Sequence, residues 1–206
     1  MKSSTRIFFL WSFILIAFDQ ITKLITKGFN IFGFSREGMR LGESIEVIGD
    51  FLRFTFVENP GMAFGIEFGW GKIFLSLFSI FAAIALAWYL FKIDGYDKFA
   101  RTGIMLIFAG AAGNMIDRVF YGVFYGESAL FYGKVVDFIQ VDIPDVNIFG
   151  LYYSHWPVFN IADSCVSCGV VLLIFFHHKL PSLNEIKNKG ISNEEVTENL
   201  IDIQEH

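Results

Sequence analysis

The sequence predicts a mainly α-helical membrane protein: four transmembrane helices with a small extracytoplasmic β-sheet and an interfacial segment. Hydrophobic residues make up 54% of the 206 residues and Phe alone accounts for 26, which is more apolar surface than a water-facing domain of this size usually holds. Apolar runs of about 20 residues, the length that crosses a bilayer, recur four times. We therefore expect one membrane domain over residues 1–180 and a flexible, acidic cytoplasmic tail over 181–206.

The predicted spans cover about residues 7–26, 72–91, 102–118 and 159–176. The first run begins like a secretory signal peptide, but no small-x-small cleavage site follows it, so we interpret it as an uncleaved helix. Two extracytoplasmic segments, 28–71 and 119–158, separate the spans. Residues 51–56 alternate between apolar and polar in the first of them, which indicates a strand.

The positive charges indicate the orientation in the membrane. Lys2, Arg6, the loop at 92–101 and Lys179 all fall on the same side as both termini. The side enriched in Lys and Arg is usually the cytoplasm. We therefore expect both termini in the cytoplasm and the other helix ends near the outer leaflet.

Polar side chains gather at these outer helix ends and in the segments between them. They are Asp19, Lys23, Asn59, Asn114, Asp117, Arg118, Asp137, Asn160 and Asp163. Ionisable groups at membrane depth are costly and usually functional. Plain ion pairs, Asp19 with Lys23 and Asp117 with Arg118, remain an alternative for four of them, and a helix N-cap role remains one for Asp163.

Asp137 and Asp163 form the candidate catalytic pair. Asp137 lies between Val and Phe residues of a strand-like segment, where a carboxylate has little structural use. Two carboxylates in a partly dry site cannot both ionise easily, so they share one proton. One can then deprotonate water while the other protonates a leaving amine, which is the logic of aspartic proteases.

Other functional classes use the same region of the chain. A small transporter or proton channel would use the acidic residues as a relay, but they lie at one level instead of through the membrane. A serine protease would need Ser164 or Ser167 with His155, and neither serine lies in a Ser-x-x-Lys motif or a strained elbow. Cys165 and Cys168 are more simply two small helix residues than a redox or zinc pair.

Five short motifs occur in order along the chain. They are DQITK at 19–23, NPGMAFG at 59–65, GNMIDR at 113–118, VVDF at 135–138 and FNIAD at 159–163. Together they resemble the motif blocks of lipoprotein signal peptidase (signal peptidase II) over most of residues 7–178. The resemblance implies an aspartic endopeptidase of the bacterial cytoplasmic (inner) membrane that removes signal peptides from diacylglyceryl-modified prolipoproteins, cleaving before the lipidated cysteine.

The resemblance also implies roles for individual residues. Asp137 and Asp163 would be catalytic, and the substrate-binding or supporting residues would be Asp19, Lys23, Asn59, Gly61, Ala63, Asn114, Arg118, Asn160 and Ala162. It further implies contact with membrane lipids, inhibition by globomycin, and no metal or cofactor. A nucleic-acid partner is not expected, because the chain has a net charge of −5 and no basic patch.

One stretch exceeds the expected family length. Residues 119–134 repeat the triplet Phe-Tyr-Gly three times, and Tyr favours the headgroup layer. We interpret this aromatic insertion as an interfacial hairpin that anchors the chain; a lid or substrate contact is the alternative.

Overall fold

The computed structural model describes residues 3–31, 33–61, 69–148, 151–182 and 184–186. The helices are α1 (Ser3–Lys27), α2 (Gly69–Lys92), α3 (Lys98–Ile116), the short α4 (Gly122–Phe124) and α5 (Ile161–Phe176). The strands are β1 (Gly28–Ile31), β2 (Phe34–Glu37), β3 (Ser44–Ile48), β4 (Leu52–Asn59), β5 (Val135–Ile148) and β6 (Leu151–His155).

Among the described residues, four stretches are long and apolar enough to cross a membrane: Thr5–Lys27, Trp70–Lys92, Lys98–Phe124 and Ile161–Lys179. Their outward-facing side chains are large and apolar, as at Phe13, Phe74 and Phe175, which are strongly exposed. Such surface is unfavourable in water and suits contact with lipid. The predicted fold class, a multi-pass helical membrane protein with small antiparallel sheets, is therefore confirmed.

The helices pack around α3, which contacts α1, α2 and α5. Glycines allow the close approach of α3 and α5, because a Cβ at Gly110 would lie 2.2 Å from the Ala162 carbonyl oxygen and one at Gly169 would lie 2.7 Å from that of Gly103. The helices alternate in direction, so α1 and α3 end where α2 and α5 begin. We call this end of the bundle, which carries the strands, the sheet end, and the opposite one the far end.

The strands form a β1–β2 hairpin and a four-stranded antiparallel sheet in the order β3-β4-β5-β6. β4 contains most of the alternating segment predicted as a strand. Its pairing with β5 sets Val57 opposite Asp137 and Asn59 opposite Val135. The sheet therefore brings Asn59 and Asp137, which are far apart in sequence, to the same edge of the bundle.

The third span continues past its predicted end at Arg118. A π-helical turn, Asp117–Tyr121, follows α3, and α4 extends the helix to Phe124. The predicted hairpin is therefore wrong for the first part of the aromatic insertion. The chain then folds back closely against the helix end at Gly122, where a Cβ would lie 2.9 Å from the Ala129 carbonyl oxygen.

Candidate active site

Asn160 and Asp163 form the N-terminal cap of α5. Asn160 has extended backbone angles, its side-chain oxygen accepts from the Asp163 amide at 2.8 Å, and Asp163 Oδ2 accepts from the Asn160 amide at 3.3 Å. This reciprocal capping box fixes both side chains at the helix end. Asp163 Oδ1 remains for other partners and accepts from Asn114 Nδ2 at 2.8 Å. The capping alternative and a place in the polar cluster therefore both hold for Asp163.

Asp137 extends from β5 toward the same asparagine. Asn160 Nδ2 lies 2.7 Å from Asp137 Oδ1, and the Asn59 side chain also hydrogen-bonds to this carboxylate. Asp137 is only 2% exposed. Burial raises the pKa of Asp137 to about 7, and the charge of Asp163 acts in the same direction, whereas the hydrogen bonds from Asn59 and Asn160 oppose the shift. Asn160 is thus the common partner of the two acids.

Lys23 is the fully buried centre of the polar cluster. Its Nζ lies 2.8 Å from Asp19 Oδ2, 2.8 Å from Asp117 Oδ2 and 2.9 Å from Asn114 Oδ1. An ammonium group has three donors, so each has an acceptor. Because Lys23 binds the oxygen of the Asn114 amide, the nitrogen of that amide is directed to Asp163.

Asp19 joins α1 to the start of α5. Its Oδ1 accepts from the Ala162 amide at 2.9 Å, one of the amides that a helix N-terminus leaves without an intrahelical partner. Ala162 is buried, and a Cβ at Gly113 would lie 3.2 Å from its methyl group. Ala162 therefore contributes a backbone donor and a small side chain that fits against α3.

Arg118 lies between α2 and the acid pair. Its Nη1 donates to Ser79 Oγ at 3.3 Å, and its charge interacts with those of Asp117, Asp137 and Asp163. Within the described residues, its buried Nε has no hydrogen-bond partner. Arg118 is therefore a cation that can stabilise negative charge at the acid pair.

The loop after β4 directs Asn59 toward Asp137. The Gly61 amide donates to Asn59 Oδ1 at 2.9 Å, which leaves the Asn59 nitrogen for Asp137. Gly61 has φ +78°, a conformation that residues with a Cβ rarely adopt. Ala63, the remaining predicted site residue, lies outside the described residues.

A cleft of about 700 Å³ opens beside Asp163. Its lining from the sheet side is apolar and includes Val141 and Ile143, which alternation places on the same face of β5 as Asp137. The lining from α5 includes Asp163, Ser164, Ser167 and Cys168. Asp163 therefore borders an apolar cleft of a size suited to a ligand or a peptide segment.

The serine alternative gains no support from the geometry. Ser164 Oγ donates to the Asn160 carbonyl at 3.0 Å, while the His155 ring lies 3.0 Å from the Trp156 carbonyl. Neither group is set up as a nucleophile with its base. Over the part of the chain that the structure describes, no cluster of three His, Cys, Asp or Glu residues could hold a metal ion.

Two residues of the cluster carry no sequence signal of their own. Gln20 Nε2 donates to Asp117 Oδ1 at 2.9 Å, and Tyr121 Oη donates to Gln20 Oε1 at 3.0 Å. Asp117 forms an ion pair with Lys23, whereas the sequence suggested its neighbour Arg118 as the partner. Only the position of Gln20 inside the 19–23 motif could have indicated it.

The chain is similar to known signal peptidases. Residues 11–179 match the family model described as "Signal peptidase (SPase) II". The chain is 37% identical over 175 residues to the lipoprotein signal peptidase of Pelodictyon phaeoclathratiforme, covering 85% of this chain and 92% of that one. It is 40% identical over 172 residues to that of Staphylococcus aureus, with coverages of 81% and 88%.

Solved structures share the fold of this chain. One described as a bacterial membrane enzyme superposes with a TM-score of 0.60 at 39% identity, covering 82% of this chain and 90% of that one. A second with the same description has a TM-score of 0.59 at 38% identity and covers 84% and 87%. The family model and the relatives show that this chain belongs to the signal peptidase II family.

Proposed function

We propose that the protein is a membrane aspartic endopeptidase that removes the signal peptide from diacylglyceryl-modified prolipoproteins by cleaving before the lipidated cysteine. The observation that carries the proposal is the arrangement of Asp137 and Asp163, which both hydrogen-bond to Asn160, with Asp163 lining an apolar cleft. The names of the relatives at 37% and 40% identity, which are lipoprotein signal peptidases, support the proposal.

The chemistry follows from the charge of the pair. The raised pKa of Asp137, about 7, favours a state near neutral pH in which the two carboxylates hold one proton. The ionised carboxylate takes a proton from water, whose oxygen attacks the carbonyl carbon of the peptide bond. The protonated carboxyl hydrogen-bonds to the carbonyl oxygen, and a proton then passes to the leaving amine nitrogen as the C–N bond breaks.

The supporting residues hold this geometry in place. Asn160 and Asn114 orient the two carboxylates, and Lys23 fixes Asn114. Arg118 supplies positive charge beside the site, where negative charge develops on the carbonyl oxygen. Asp19 attaches the start of α5, and hence Asp163, to α1.

The position of the pair suits a lipid-anchored substrate. The acids lie where membrane-spanning helices meet the strands, and the acyl chains of a lipidated cysteine remain in the leaflet, so its peptide bond is held at the membrane boundary. We place this site near the outer leaflet of the bacterial inner membrane, with both termini in the cytoplasm. Membrane lipids and the inhibitor globomycin are the further partners that this function implies.

The direct test is cleavage of a diacylglyceryl precursor by the purified protein, followed by gel shift. We expect processing of the lipidated precursor and none of the same precursor lacking the lipid. Globomycin should block the reaction. Equal processing of the two precursors would contradict the proposed substrate, and proton or solute flux in vesicles without cleavage would favour the transporter alternative.

A further inference from the structure

The aromatic insertion begins inside the polar cluster. Tyr121 ends the π-helical turn that starts at Asp117, and it is only 5% exposed. Its hydroxyl donates to Gln20 Oε1 at 3.0 Å, across 101 positions of sequence. Single π-helical turns occur frequently at functional sites, and this one places a residue of the insertion against α1.

Gln20 connects Tyr121 to the acidic residues by hydrogen bonds of its side-chain amide. Its Nε2 lies 2.9 Å from Asp117 Oδ1, 3.2 Å from Asp19 Oδ2 and 3.1 Å from the Gly113 carbonyl oxygen. A reversed amide would direct its oxygen toward these acceptors. By donating to Oε1, the Tyr121 hydroxyl holds the orientation in which the nitrogen faces them.

Asp117 connects Gln20 to both catalytic candidates. Its Oδ2 accepts from the backbone amide of Val136, the residue next to Asp137, at 3.2 Å. The same oxygen lies 2.8 Å from Lys23 Nζ. Lys23 in turn holds Asn114, which donates to Asp163. A displacement of Asp117 would therefore reach both members of the acid pair.

We propose that Tyr121 is a positioning residue for the acid pair and acts on it through Gln20 and Asp117. This inference rests on the proposed function, because it concerns the geometry of the same site. It gives the start of the aromatic insertion a role in the reaction in addition to contact with the interface. Tyr121 does not touch the reacting atoms.

Tyr125 provides a matched control in the same insertion. Its ring centroid lies 5.3 Å from that of Tyr121, and its hydroxyl donates to the Gly28 carbonyl at 2.9 Å. Tyr125→Phe therefore removes a hydrogen bond of the same kind, from a neighbouring aromatic residue, without touching Gln20. Both Phe substitutions keep the aromatic ring. We therefore expect both variants to fold and to have similar thermal midpoints of unfolding.

The experiment compares Tyr121→Phe, Tyr125→Phe, Gln20→Ala and the double variant Gln20→Ala with Tyr121→Phe, by kcat and KM on a lipidated precursor. We expect Tyr121→Phe to lower kcat by about tenfold, the scale of one lost hydrogen bond, with KM unchanged. Tyr125→Phe should stay within about twofold of the unchanged protein. The double variant should be no slower than Gln20→Ala alone, because Tyr121 acts through Gln20.

Equal losses in the two Tyr variants, a change confined to KM, or additive losses in the double variant would each overturn the positioning role. An Asp137→Asn variant is measured in parallel. Undiminished cleavage by Asp137→Asn would contradict the proposed function itself. An inactive Asp137→Asn together with full activity in Tyr121→Phe would contradict only the role of Tyr121.

Discussion

Both ends of the helix bundle bury charged groups, but they do so differently. At the far end, Arg101 is 3% exposed, lies 3.4 Å from Asp94, donates to Thr5 Oγ1 at 3.0 Å and covers the Phe8 ring at 4.3 Å. At the sheet end, Lys23 is fully buried and its contacts lead through Asn114 to Asp163.

The difference lies in the balance of charge. At the far end the buried Arg101 pairs with one acid, the partly exposed Asp94, so the contact is explained by structure alone. The polar cluster around Lys23 at the sheet end combines two bases, Lys23 and Arg118, with four acids, which are Asp19, Asp117, Asp137 and Asp163. This cluster therefore holds two more carboxylates than bases. A buried charge alone does not mark a site, whereas an unbalanced and connected set of charges does.

Replacing the base at each end should have the largest effect and should separate the two ends. Lys23→Met leaves Asp19, Asp117 and Asn114 without their shared donor, so we expect a loss of about 3–5 kcal/mol in stability and no measurable cleavage. Arg101→Met leaves Asp94, which is partly exposed and can bind water. Its thermal midpoint should fall less and its kcat should change by less than about twofold. A larger loss of kcat in Arg101→Met would contradict the comparison.

The pH dependence of cleavage tests whether Asp137 takes part in holding the shared proton. Burial and the charge of Asp163 raise the pKa of Asp137 to about 7, so the shared proton is lost and kcat/KM should fall above about pH 7. Because this folded-state pKa exceeds the value of about 3.9 in an unfolded chain, Asp137 should also lower stability as pH rises from about 4 to 7.

Asn59→Ala tests the cause of that alkaline limb. The variant removes a hydrogen bond that favours the ionised carboxylate, so we expect the limb in kcat/KM to move to higher pH. Arg101→Met serves as the control, because the far end should leave the profile unchanged. A limb that moves to lower pH in Asn59→Ala would contradict the assignment to Asp137.

A smaller effect is expected where the insertion meets the strands. Glu58, next to Asn59, lies 2.5 Å from both Lys27 and Lys134, and Lys27 also pairs with Glu127 at 2.7 Å. Burial opposes ionisation of Glu58, but hydrogen bonds from Lys134 and Lys27 lower its pKa overall. Its contribution to stability is therefore present above the unfolded pKa of about 4.3 and is lost as pH falls through the folded value.

Glu58→Gln should thus lower the thermal midpoint by a few degrees at neutral pH and by less near pH 3, below the unfolded pKa. Cleavage should change by less than about threefold, because Glu58 does not contact the acid pair. The measurement is thermal unfolding in detergent at the two pH values. The same decrease at both would contradict an ionic role for Glu58.

The smallest effect is expected for Ser164→Ala and His155→Ala. The Ser164 hydroxyl donates to the Asn160 carbonyl oxygen at the start of its own helix, and the His155 ring contacts the Trp156 carbonyl oxygen. Cleavage rates should stay within about twofold. A complete loss in both variants would revive the serine alternative.

The sequence predicted the spans and the polar layer because both depend on local composition. Apolar runs determine which helices can cross a bilayer, and an acid such as Asp137 between apolar neighbours is unusual wherever it folds. The contact of Tyr121 with Gln20 could not be predicted, since it depends on a π-helical turn and on the packing of α3 against α1. The partner of Asp117 could not be predicted either. Tertiary structure pairs Asp117 with Lys23 and not with the adjacent Arg118.

We assign the reaction to Asp137 and Asp163 and not to the acid of the ion pair at the far end, Asp94. The most direct test compares Asp137→Asn, Asp163→Asn and, at the far end, Asp94→Asn in cleavage of a diacylglyceryl precursor. Asn keeps the size of each side chain, so we expect all three proteins to insert and fold. The first two should lose cleavage by about 10³-fold or more, and Asp94→Asn should retain it. Full activity in Asp137→Asn or Asp163→Asn would contradict the account.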